Sequence, residues 1–132
     1  MRKAGEISRL PDTELEIMKV IWNEAKSLST SEIKEKLEIK RPWNSSALQT
    51  LLNRLIDRGF IESYKEGKNR FYIAVVEENA YLALENRLFL NKVNNNSLTK
   101  LVASLYDSRA ISQNDLDELA TYIRQKAGGE NI

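Results

Sequence analysis

The chain contains no cysteine and no histidine. That double absence excludes disulfides, thiolate nucleophiles, Ser/His and Cys/His catalytic groupings, histidine-ligated haem, and every zinc site built from thiolate or imidazole. Metal chemistry would fall to carboxylates alone. Long apolar runs are missing too: no stretch approaches the roughly 18 residues of a membrane span. The N-terminus also lacks the basic, apolar and small-residue order of a signal peptide. The expectation is a cytoplasmic protein with no membrane insertion, and the lack of cysteine fits a reducing compartment. No nucleophile and base pair is present to make an enzyme, and no cofactor or metal is expected.

The 132 residues are enough for one modest core, or one small core with a helical appendage. With 20 basic and 19 acidic side chains the net charge of +1 identifies no partner, but its distribution is uneven. Residues 1–76 carry 14 basic and 11 acidic residues, whereas residues 77–132 carry 6 and 8. Between 39 and 76 lie Lys40, Arg41, Arg54, Arg58, Lys65, Lys68 and Arg70 against Asp57, Glu62 and Glu66, a local excess of +4. That block is the candidate polyanion face.

Periodicity divides the chain into elements. Thr13 and Glu16 have capping-box spacing before Leu15, Met18, Ile21 and Trp22, which predicts a helix from Thr13 to about Glu24. Ser29 and Glu32 repeat the arrangement before Ile33 and Leu37. Pro42 holds Arg41 extended, Asn44 is a good N-cap, and a third helix follows to Gly59. Its stripe of Leu48, Leu51, Leu52, Leu55 and Ile56 faces a core. The opposite side then presents Ser46, Thr50, Asn53 and Asp57, flanked by Gln49 and Arg54. Phe60–Lys65 and Arg70–Val75 read as the strands of a hairpin with a basic tip. From Glu77 only helical patterns remain. Ser97 opens one with Leu98, Leu101, Val102 and Leu105, and Ser112 with Asp115 opens another with Leu116, Leu119, Ala120 and Ile123. Gly128 and Gly129 are expected to end it.

Three helices and a β-hairpin, with basic residues flanking the third helix and on the hairpin, is the order of a winged helix-turn-helix. The fold class expected is mostly α with a small β-hairpin: a winged helix over 1–76 and a helical domain over 77–132. A polar helix face alone is usually just solvated. Beside a basic hairpin, however, Ser46, Gln49, Thr50 and Asn53 become candidate base readers, because hydroxyl and amide groups reach base edges without burying unpaired charge. Arg54, Lys65, Lys68 and Arg70 become candidate phosphate contacts. Arg58 sits where a cation relieves the helix dipole and has a structural reading. Asp115, Asp117 and Glu118 have a similar one at a helix start. The C-terminal stripes, Leu98, Leu101, Val102, Leu105, Leu116, Leu119 and Ile123, belong to a segment too small to enclose its own core. A second copy of the chain is the expected cover.

The segments TELEIMKVIW at 13–22, STSEIKEKL at 29–37, LQTLLNRLIDRGFIE at 48–62 and YKEGKNRFY at 64–72 resemble the bacterial penicillinase-repressor family, the BlaI/MecI/CopY type. The similarity continues through RLFLNKV at 87–93, LTKLV at 98–102 and NDLDEL at 114–119. It implies a homodimeric repressor that binds a dyad operator in duplex DNA and dimerises through its C-terminal helices. In members controlling β-lactam resistance, a sensor-linked protease is implied to cut between an Asn and a Phe. The matching bond here joins Ser104 and Leu105. Copper-responsive members use a C-terminal cysteine cluster, which this chain lacks. Members tend to be basic where this chain has Ser46 and Gln49, while Thr50 is kept. Two other functions fit the residues: a winged-helix regulator released by a small-molecule effector, and a winged helix used only for protein interaction.

Overall fold

The computed structural model describes residues 7–130. Helix α1, Asp12–Glu24, starts one residue earlier than its predicted cap. Pro11 occupies the N-cap without a side-chain bond, and the Thr13/Glu16 box does not form. Glu16 instead accepts a 2.7 Å charge-assisted bond from Arg41, a stronger partner than a neutral backbone amide. Asp12 and Glu14 supply the negative charge that the first turn favours.

Strand β1, Leu28–Ser29, has two residues, too few to leave a periodic signal. Helix α2, Thr30–Leu37, opens on the predicted capping box: Ser29 Oγ accepts from the Glu32 amide at 3.2 Å, and Glu32 Oε1 accepts from the Ser29 amide at 2.9 Å. Helix α3, Ser45–Asp57, is capped by Asn44, whose Oδ1 accepts from the Ala47 amide at 3.0 Å. Gly59 ends it in the left-handed region with φ 78°. Strands β2, Ile61–Glu66, and β3, Asn69–Ala74, form the hairpin, and β1 joins β3 to complete a three-stranded antiparallel sheet in the order β1-β3-β2.

The α1, α2 and α3 stripes meet the sheet in one core of Ile17, Met18, Ile21, Ile33, Leu37, Leu48, Leu52, Leu55, Phe60 and Tyr72. Leu51 and Ile56 lie at its margin, half-buried. Helix α4, Glu78–Asn94, contributes Tyr81, which is fully buried. Its ring stands edge-on to Phe60 and tilted against Trp22, both at 5.8 Å, and its hydroxyl accepts from the Leu10 amide at 2.8 Å while donating to Glu85 at 2.7 Å. The first compact unit, Met1–Asn86, therefore takes in the start of α4.

The second unit, Arg87–Ile132, holds the remainder of α4 with α5, Leu98–Asp107, and α6, Gln113–Glu130. Ser97 caps α5 by accepting from the Lys100 amide at 3.0 Å. Ser112 and Asp115 exchange two bonds at the start of α6, 2.7 and 3.2 Å. The helix does not stop at Gly128 and Gly129 but includes both. Glycine costs a helix about 1 kcal/mol relative to alanine without forbidding the conformation, and αR remains open to it.

Candidate nucleic-acid interface

The exposed side of α3 is the side opposite its leucines. Ser46, Thr50, Asn53 and Arg54 are exposed and Gln49 is half-buried. Thr50 donates its hydroxyl to the Ser46 carbonyl at 3.0 Å, one turn back along the helix. Gln49 is more constrained than a solvated amide. Its Nε2 donates to Asn53 Oδ1 at 3.1 Å and to the Tyr72 phenol at 3.3 Å, and that phenol also meets Thr30 Oγ1 at 3.5 Å. The core of the winged unit thus reaches the polar face through one tyrosine. Periodicity gave no sign of this link, because Tyr72 reads simply as a buried strand residue.

Strand alternation gives the hairpin two chemically distinct faces. Ser63 lies opposite Tyr72 and Lys65 opposite Arg70, so these four share the face whose Tyr72 reaches α3. Glu62, Tyr64, Glu66, Phe71 and Ile73 share the other, where Tyr64 and Phe71 stack at 5.6 Å. The basic pair is therefore on the α3 side and the acids turn away. Arg70 Nη1 donates to Ser63 Oγ at 2.9 Å across the hairpin, and Lys68 sits in the turn beside Gly67, which has φ 65°.

The basic block divides into engaged and unengaged cations. Arg41 pairs with Glu16 and stacks over the Trp43 ring at 4.5 Å. Arg58, expected only to relieve the dipole at the end of α3, lies 3.7 Å from the buried carboxylate of Glu14. Arg54, Lys65, Lys68 and Arg70 form no ion pair among the described residues. Their charges are uncompensated on one side of the unit.

In the second unit α5 has no buried residue. Leu98 and Ile123 are 55% and 50% exposed, and Leu101, Val102, Leu105, Leu116 and Leu119 are half-buried. Ser104 is exposed and Leu105 half-buried, with the bond between them inside α5. No helix among the described residues is long and apolar enough to cross a membrane.

A helix-turn-helix whose third helix exposes a polar face, beside a hairpin wing that is basic on that same side, defines a winged-helix DNA-binding protein. The penicillinase repressor family model matches residues 10–125. The chain belongs to that family, whose members are transcriptional repressors and not enzymes. It is 34% identical over 119 residues to the penicillinase repressor of Bacillus licheniformis, covering 90% of each chain. It is 32% identical over 124 residues to the methicillin resistance regulatory protein MecI of Mammaliicoccus sciuri, covering 94% of this chain and 98% of that one. Among solved structures, the DNA-binding domain of the repressor BlaI is 38% identical. It covers 61% of this chain and 94% of its own, with a TM-score of 0.50.

Proposed function

We propose that this chain is a homodimeric repressor that binds a dyad operator, one winged unit per half-site. Ser46, Gln49, Thr50 and Asn53 face base edges, while Arg54, Lys65, Lys68 and Arg70 hold phosphates. The observation that carries the reading is the set of four uncompensated cations around the polar side of α3. Elsewhere in the basic block Arg41 and Arg58 are paired with carboxylates, and Lys40 lies outside the polar side of α3 with no ion pair among the described residues. The family match and the likeness to the DNA-binding domain of BlaI support it. Repression of this kind takes place in the cytoplasm.

The second copy covers the α5 and α6 stripes. Exposed Leu98 and Ile123, next to half-buried Leu101, Val102, Leu105, Leu116 and Leu119, have the pattern of an interface lacking its other half. Release of repression follows cleavage of the Ser104–Leu105 bond by a sensor-linked protease, which cuts α5 and removes dimer contacts without touching α3 or the wing.

Fluorescence anisotropy of a labelled duplex, titrated at increasing salt, is the test. A dimer presenting these cations twice neutralises ~6 to 8 phosphates, so log K should fall against log salt with a slope of about −5 to −7. A flat response overturns the assignment of α3 and the wing to DNA.

A further inference from the structure

The two faces of the hairpin differ in a way that solubility alone does not require. An antiparallel sheet with one face on a core normally shows polar side chains on the other. Here the face turned away from α3 carries Tyr64, Phe71 and Ile73, and Val75 follows two residues later. Tyr64, Ile73 and Val75 are between 43% and 49% exposed. The aromatic pair is pinned: Tyr64 stacks on Phe71 at 5.6 Å, and its hydroxyl shares a 2.7 Å hydrogen bond with Ser27 Oγ. Ile73 also lines a cleft of about 300 Å³ between the end of α1 and the start of α4, walled by Trp22, Ala25 and Val76. Trp22 is fixed there by donating from Nε1 to the Val76 carbonyl at 2.8 Å. Carboxylates border this apolar strip. Glu62 and Glu66 share its strand face, and Glu77 and Glu78 line the cleft, against the one lysine, Lys26, among its described residues. Glu62, Glu66 and Glu77 form no ion pair among the described residues.

We infer that this face docks a basic amphipathic segment of another protein, with an apolar side chain in the cleft and Lys or Arg residues against Glu62, Glu66 and Glu77. Charge selects the occupant. The carboxylates repel nucleic-acid phosphates and anionic lipid headgroups, so the exposed apolar groups do not extend the DNA-facing side. They attract ammonium and guanidinium groups. Beside pinned aromatic and aliphatic side chains they give the two parts of a docking contact, apolar area at the centre and charge at the rim. Because Tyr64 and Trp22 are already held by Ser27, Phe71 and Val76, little ordering is left to oppose binding. Strand alternation turns this face away from Lys65, Arg70 and Tyr72, so the partner and an operator occupy opposite faces of the wing. That last point rests on the operator-binding reading given above, whereas the docking itself does not.

The probe is a short Lys/Leu peptide with leucines at helical spacing, labelled with fluorescein and titrated into the full-length protein by anisotropy. The matching Glu/Leu peptide is the control. The Lys/Leu peptide should bind and the Glu/Leu peptide should not. Heteronuclear NMR signals should shift at Trp22, Tyr64, Phe71 and Ile73 and stay still along α3. Ile73→Thr keeps a β-branched residue at an exposed strand position, removes apolar area, and should weaken the peptide about fivefold or more. Glu62→Gln combined with Glu66→Gln should weaken it about threefold to tenfold. Val75→Thr stands in if Ile73→Thr melts early by circular dichroism. Duplex affinity and its salt slope should be unchanged in Ile73→Thr, because the face lies away from α3. A Lys/Leu peptide that does not bind overturns the inference, as does equal binding of both peptides or binding that none of these substitutions moves. Loss of duplex affinity in parallel with peptide affinity also overturns it, by giving the face to DNA. Assembly beyond a dimer in sedimentation, reversed by Ile73→Thr, overturns it by giving the face to a second copy. A protein that takes up the peptide but no duplex overturns operator binding alone.

Discussion

Glu14 keeps a carboxylate at 1% exposure with one cation, Arg58, 3.7 Å away, and its Oε1 has no hydrogen bond. Removing either member should have unequal effects. Arg58→Met leaves a buried charge without its counterion and should cost about 3 kcal/mol or more in urea denaturation at neutral pH. Glu14→Gln removes the charge that is expensive to bury and leaves a partly exposed arginine free to hydrate, so its loss should be smaller. The reverse order would overturn the pairing of Glu14 with Arg58. A second buried group, Tyr81, has its phenol pushed up to about 12 from 10.0, first by burial and then by the bond it donates to Glu85. The unfolded chain therefore loses this proton before the folded one does. The stabilisation is complete below pH 10 and is lost as pH climbs through about 12, amounting to about 2 to 3 kcal/mol. Tyr81→Phe should flatten that part of the urea midpoint measured between pH 9 and pH 12. At the interface itself, Thr50→Ala or Asn53→Ala should cost on the order of 1 to 3 kcal/mol on the cognate operator and much less on random DNA.

Among the elements, the helix ends are where local sequence acts most directly. Ser29 and Glu32 satisfy each other's backbone amides, and the Ser29 amide is the main reason the Glu32 carboxyl lies below its usual range. A lowered carboxylate contributes stability above its unfolded value and gives it up as pH falls through the folded one. Ser29→Ala should cost about 1 kcal/mol by losing the cap, whereas Glu32→Gln, which removes the carboxylate that accepts from the Ser29 amide, should weaken the loss of stability on the acid side of the usual carboxylate range, both measured by thermal melts. Gly59 ends α3 at φ 78°, where a Cβ meets no atom but L-residues are strained. Gly59→Ala should therefore destabilise by about 1 to 2 kcal/mol purely through the backbone. Both features follow from residue type and spacing, and both were legible before the fold was known. The Thr13/Glu16 box has the same spacing and does not form: α1 begins earlier, with Pro11 at its N-cap and Thr13 inside the first turn, and the Glu16 carboxylate is paired with Arg41. Capping spacing names a cap only where the helix actually begins.

At the scale of the whole molecule, dimerisation and DNA affinity should separate by truncation. Cutting after Asn86 keeps Tyr81 in its core and removes α5 and α6. Sedimentation should show a folded monomer that binds a half-site, with affinity for the dyad lower by about 10² or more as the effective concentration of the second site is lost. A truncated chain that sediments as a dimer would falsify the assignment of the stripes. Proteolysis makes a related expectation: the Ser104–Leu105 bond lies in a helix, so α5 must open locally before it is cut. Operator-bound protein should be cut more slowly than free protein if binding and dimerisation are coupled, as followed by mass spectrometry.

By itself the sequence determined the order of elements, because amphipathic period, capping residues and turn glycines are local and need no partner. It also carried the segments that resemble the repressor family and the residues lining the polar side of α3. Tertiary structure decided what local pattern cannot encode. It added the two-residue β1, which exists only because β3 lies beside it, and drew the start of α4 into the winged unit through the Tyr81 hydroxyl and ring. It also sorted the cations, giving Arg41 and Arg58 to carboxylates far away in sequence and leaving Arg54, Lys65, Lys68 and Arg70 without one. Charge composition counts them equally, but an ion pair requires proximity, and only the folded chain supplies it.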